Sequence, residues 1–133
     1  MTRFVVDATV LLAIADGTLD VHPSHQLVAP GAVRSQALSL LYRRARTGEL
    51  DGDRARGLLE RVAEIKVRLL NDRVSRSVAW RIADEHGWED TADAELAAVT
   101  RLQADAFVTL DRALAEKLRA VVPVAAADAL ARP

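Results

Sequence analysis

Residues 106–111 read Ala106-Phe107-Val108-Thr109-Leu110-Asp111, and the segment before them opens with Asp90-Thr91-Ala92-Asp93 and continues with an apolar stripe at Leu96, Ala97, Val99 and Leu102. The run from Ala106 is aromatic and β-branched, which suits a strand ending in an acid. The stripe has helical spacing, so a helix enters that strand through a turn at Gln103-Ala104-Asp105. Helix, turn, strand, acid is the unit from which a parallel sheet is assembled.

The same grammar appears at the start of the chain. Phe4-Val5-Val6 is a short apolar run without polar alternation, as expected of a strand covered on both faces, and Asp7 follows it. A short helix is expected over Thr9 to Ala15, stopped by Gly17. A second strand is expected at residues 25–29, then a helix from Pro30 to Arg46 that stops at Gly48. Asp51 and Asp53 are positioned to cap a third helix carrying Leu58, Leu59, Val62 and Ala63, and Asp72 a fourth carrying Val74, Val78, Ile82 and Ala83. Residues 67–70 read as a strand between them. Asp111 is placed to cap a last helix through Leu118, and residues 121–124 read as a short edge strand, where Pro123 is tolerable. This alternation predicts a single α/β domain over residues 1–133, with a central, mainly parallel sheet flanked by helices.

Composition narrows the function. The chain has 133 residues, 50% of them apolar and 28% charged, with no cysteine. Disulfide scaffolds, thiol catalysis and cysteine zinc sites are thereby excluded. No apolar run approaches the roughly 20 residues of a membrane span. The opening Met-Thr-Arg-Phe-Val-Val-Asp reaches an acid too early for a secretory signal, so a cytoplasmic location is expected. The net charge of −1 hides a division: residues 34–81 hold 12 basic and 6 acidic groups, and residues 82–116 hold 2 and 9. Two solvated helical faces would give such a division, and so would a polyanion site served by bound cations.

The candidate chemistry lies with the strand-end acids. In a parallel sheet all carboxyl ends share one edge, so Asp7 and Asp111 converge if their strands are neighbours, and Asp93, at the start of the helix leading into the second strand, is expected to join them. Clustered carboxylates need a counter-charge, which a hard divalent cation such as Mg²⁺ or Mn²⁺ supplies through oxygen ligation. Each acid also stands where a helix wants a cap, and Asp90 with Asp93 resembles a capping box. Spacing alone leaves both readings open. Gln36 has apolar neighbours at Ala32, Val33 and Leu40 and is expected to face inward, as a hydrogen-bonded core amide or as part of the acidic pocket. His22, His25 and His86 lack metal-ligand spacing. Trp80 and Trp88 read as packing or interface residues, and Arg43, Arg44 and Arg46 as a solvated helix end or a phosphate grip.

Taken together, these residues resemble a PIN domain, in particular the VapC-type toxins of toxin–antitoxin pairs. Phe4-Val5-Val6-Asp7-Ala8-Thr9 resembles the family's first motif, and Asp93-Ala94-Glu95-Leu96-Ala97-Ala98 with Ala106 to Asp111 resembles its later paired motif. The resemblance runs through nearly the whole chain. It implies a Mg²⁺- or Mn²⁺-dependent endoribonuclease in which Asp7, Asp93 and Asp111 hold the metal that activates water, with Thr9 and Thr109 supporting by hydrogen bonds. It further implies an RNA substrate, transfer RNA first and ribosomal RNA next, homodimerisation, and capture by a cognate antitoxin protein. The family's second acid aligns with Gln36, a neutral amide that neither acts as a base nor offsets cation charge. Asp90, three residues before Asp93 on the same helical face, is the expected substitute, with Glu95 the other candidate. The alternative is a catalytically weakened PIN-like module that binds RNA or protein without cutting.

Overall fold

The computed structural model describes residues 1–133. In chain order the elements are β1 (Arg3–Val6), α1 (Ala8–Ala15), β2 (Gln26–Pro30), α2 (Val33–Arg46), α3 (Gly52–Glu64), β3 (Arg68–Leu70), α4 (Arg73–His86), α5 (Ala92–Gln103), β4 (Ala106–Val108) and α6 (Arg112–Arg119), followed by a 3₁₀ turn at Ala127–Ala131. The four strands form one sheet in the order β3-β2-β1-β4, and every pairing is parallel. An α/β domain with a parallel sheet flanked by six helices is therefore what the chain forms.

Apolar strands without alternation require cover on both faces, and the core has two halves to match. Phe4, Val6, Leu27, Ala29 and Val108 point to one side, where they pack with α1, with Val33, Ala37 and Leu41 of α2 and with Leu58 and Val62 of α3. Val5, Val28 and Phe107 point to the other, against Ala79 and Ile82 of α4, the apolar face of α5, and Leu118 of α6. Phe107 is fully buried. Helix α5 is sandwiched between the sheet and α4, so it carries small residues, Ala94, Ala97 and Ala98, and its buried Thr100 hydroxyl donates to the Leu96 carbonyl at 2.7 Å. A polar group so buried costs little because its bond is made.

Capping follows the expected acids. Asp7, Asp51, Asp72 and Asp111 each accept a backbone N–H in the first turn of α1, α3, α4 and α6. Helix α4 ends on Gly87, whose φ of 65° is the left-handed conformation a glycine adopts without a Cβ clash.

Four expectations are corrected. Pro30 closes β2 instead of opening α2, because residues 28–30 pair with β3 up to Leu70. Residues 121–124 do not form a strand: a single parallel bridge joins Val124 to Phe107, since only the Phe107 N–H and C=O find partners there, at Pro123 and Ala125. Asp90 is not the cap of α5. Thr91 occupies that position without a side-chain bond, and Asp90 accepts from the Ala92 N–H at 3.1 Å. Gln36 does not face inward: the buried stripe of α2 is Val33, Ala37 and Leu41, and Gln36 lies on its exposed side.

Candidate functional site

The register of β1 against β4 builds the site. Val6 pairs with Val108, so the next residues, Asp7 and Thr109, leave the sheet side by side at its carboxyl edge. The Thr109 hydroxyl donates to Oδ2 of Asp7, and the Thr9 hydroxyl donates to Oδ1 at 2.6 Å. Each threonine oxygen also accepts: Thr9 from the Leu110 N–H and Thr109 from the Asp111 N–H, both at 3.0 Å. The Val10 N–H completes the set on Oδ1 at 3.2 Å. Two threonines thus tie the strand-end carboxylate of β1 to the backbone that carries Asp111.

Asp7 is buried, only 6% exposed. Burial pushes its carboxyl above the ordinary aspartate value. The hydroxyls of Thr109 and Thr9 and the Val10 amide pull the other way, and the charge of Asp111 adds to the rise. Asp72 makes the contrast. It is also a helix cap, but it stands in solvent, and the hydrogen bonds from Ser75 hold its carboxyl below the ordinary value. The same local motif thus gives opposite shifts according to burial.

None of the ion pairs in the structure involves Asp7 or Asp111. Asp111 is exposed at the start of α6, with Oδ1 accepting from the Leu114 N–H at 3.1 Å. The donors at this edge are therefore all oxygens: one buried carboxylate, one exposed carboxylate and two hydroxyls. That set fits a hard divalent cation, which is commonly held by one or two carboxylates with water filling the remaining positions.

Asp93 does not complete a triad. It stands in the first turn of α5, a helix that packs on β1, β2 and β4, but its Oδ2 lies 2.7 Å from Nζ of Lys117 on α6. The expected cluster of three carboxylates is not assembled: no three histidine or acidic side chains stand close enough to hold a metal ion together. The Lys117 ammonium also sits 4.5 Å from the centroid of the Trp88 ring, and Glu89, Asp90 and Asp93 share a cleft of about 360 Å³ with Trp88 and Lys117. Asp90 accordingly lies beside Asp93, while Glu95 is half-buried and forms no ion pair. Gln36 lies in the first turn of α2, which starts just beyond the carboxyl end of β2. Arg43, Arg44 and Arg46 occupy the opposite end of that helix, about 15–20 Å from its start at 1.5 Å per residue.

Lys117 is the site residue that the sequence reading missed. The chain has only two lysines, and this one directly follows the acid-rich tract. That position was the available signal.

The fold is similar to that in a crystal structure of PAE2754 from Pyrobaculum aerophilum. The two chains are 28% identical, with a TM-score of 0.73, over 97% of this chain and 92% of that one. No family model matches the sequence, and no curated protein does.

Proposed function

We propose that the chain is a PIN-like, Mg²⁺- or Mn²⁺-dependent endoribonuclease acting as the toxin of a toxin–antitoxin pair. One observation carries the reading: Asp7 and Asp111 meet at the carboxyl edge of a parallel sheet, bridged by Thr9 and Thr109, with no protein cation to balance them. The VapC-like motifs coincide with these positions. A divalent cation bound there would lower the pKa of a water molecule and offset charge on the phosphate under attack.

The chain's own residues supply the rest. Asp7 would hold the cation from inside the domain, where hydroxyls from Thr9 and Thr109 fix both carboxylate oxygens and prevent the rotation that an exposed aspartate permits. Asp111 would hold it from the solvent side, its backbone position set by Thr109. Gln36 offers a neutral carbonyl oxygen at the same edge and adds no charge. An RNA strand, from transfer or ribosomal RNA, would approach over this open edge, and a cognate antitoxin protein would silence the toxin by covering it. A homodimer in the cytoplasm completes the proposal, and no helix is long and apolar enough to cross a membrane.

The test is cleavage of a total small-RNA pool with Mn²⁺ or Mg²⁺ titrated in, beside D7N and D93N. Discrete products that require metal and Asp7 support the nuclease. RNA binding without products at any metal concentration favours the second reading, a PIN-like module that binds RNA or protein without cutting. That reading is supported by the neutral Gln36 and by the engagement of Asp93 with Lys117.

A further inference from the structure

The amino edge of the sheet, opposite Asp7, holds a cavity of about 940 Å³. Strands β2 and β3 are parallel neighbours, with Val28 beside Arg68, so the loop entering β2 and the turn entering β3 lie side by side. The cavity opens between them. Its floor is aliphatic: Ile14 of α1, Val21 of the loop, Leu27 of β2, and Ile65 and Val67 of the turn, all packed with the core on that face of the sheet. The turn alternates, with Ile65 and Val67 half-buried and Lys66 and Arg68 exposed, and all four residues border the cavity. Neither cation joins an ion pair, and no acidic residue lines the cavity. His22 adds a donor. Its Nδ1 accepts the Ser24 N–H at 3.1 Å, so the neutral ring carries its proton on Nε2. His25, in the same wall, meets the Arg132 carbonyl through Nε2, and its buried Nδ1 has no partner.

We propose that this cavity binds an amphipathic organic anion, an aliphatic chain ending in a carboxylate. The chain would lie on Ile14, Val21, Leu27, Ile65 and Val67, and the carboxylate would meet Lys66, Arg68 and the Nε2 proton of His22. An apolar pocket with a few convergent polar groups of one sign selects a ligand that carries both an apolar body and the opposite charge. The cations are not read as an RNA track, because no Phe, Tyr or Trp lines the cavity to stack a base. This inference is independent of the ribonuclease reading, since it uses no residue of the carboxyl edge.

The test titrates decanoate into the protein by calorimetry, with hexanoate and decylammonium beside it, and maps the site from backbone amide shifts. The expected result is one saturable decanoate per chain, with a raised Tm because the ligand binds the folded form. Hexanoate, four methylenes shorter, should bind at least about tenfold more weakly. Decylammonium, with the same tail and the opposite charge, should also bind at least about tenfold more weakly. Amide shifts should centre on Val21, Leu27 and Val67. K66Q/R68Q, a change of two exposed side chains, should melt like the wild type and bind decanoate at least about threefold more weakly. Equal affinity for decylammonium, or undiminished decanoate binding by K66Q/R68Q, would overturn the charge recognition. Shifts centred elsewhere, or no saturable binding, would overturn the site.

Discussion

The hydroxyl of Thr109 donates to Oδ2 of Asp7 across 102 residues of chain, while its oxygen accepts the N–H of Asp111. One side chain thus fixes the buried carboxylate of β1 and the exposed carboxylate beyond β4. T109V should break both bonds and leave a buried oxygen of Asp7 with one donor fewer. The expected loss of stability is about 1–3 kcal/mol, the usual cost of an unsatisfied buried polar group. Urea unfolding would show it, and T109S should restore most of it.

The raised pKa of Asp7 fixes the sign of a pH dependence. Below the ordinary aspartate value of 3.8 the carboxyl is protonated in both the folded and the unfolded chain. As pH rises from there to the higher folded value, the unfolded chain releases its proton first, so stability falls across that window and levels off above it. D7N removes the buried charge. It should therefore raise the Tm at pH 7, while abolishing cleavage. Thermal melts in EDTA between pH 3.5 and 8 would show the advantage shrinking towards acid. A D7N variant less stable than wild type at pH 7 would contradict the assigned shift.

Much of this edge was legible in the sequence because its causes are local. Covered strands lack polar alternation, helices need caps, and a parallel sheet brings its carboxyl ends to one side. Asp7 and Asp111 follow from those rules, whereas Thr9 and Thr109 are implied only by the family resemblance. The side chain of Asp93 does not follow from the rules. Its partner Lys117 is 24 residues away on another helix, and no spacing rule pairs the two side chains. Gln36 was misjudged for a different reason. Ala32, counted as an apolar neighbour, is itself exposed, and an alanine contributes little to deciding which stripe of a helix is buried.

The exposed position of Gln36 carries its own prediction. Helix α2 has no side-chain cap and no acid in its first turn, so its positive dipole end is unanswered. Q36E would supply a charge worth about 0.3–1 kcal/mol to the helix. It would also add a third carboxylate near the edge where Asp7 and Asp111 lie. The expected outcome is half-maximal RNA cleavage at roughly tenfold lower Mn²⁺, which corresponds to about 1.4 kcal/mol of cation affinity, with a slightly higher Tm. A Tm gain without any change in metal dependence would place Gln36 outside the site.

Asp111 separates the two roles that make strand-end aspartates ambiguous. As a cap, its Oδ1 accepts the Leu114 N–H. As a site residue it offers a second carboxylate. Asparagine caps a helix about as well as aspartate, whereas alanine loses roughly 1 kcal/mol. D111N should therefore melt within about 1 °C of wild type, since a retained cap leaves a surface substitution nearly neutral. It should still lose cleavage by at least about a hundredfold, because an amide offers only a neutral carbonyl oxygen and does not balance the charge of a dication. D111A should lose both stability and activity. If Asp111 were only a cap, the order would change: D111N would cleave like the wild type, and D111A would suffer only in its Tm. Melting curves and cleavage rates measured on the same three preparations decide between these outcomes.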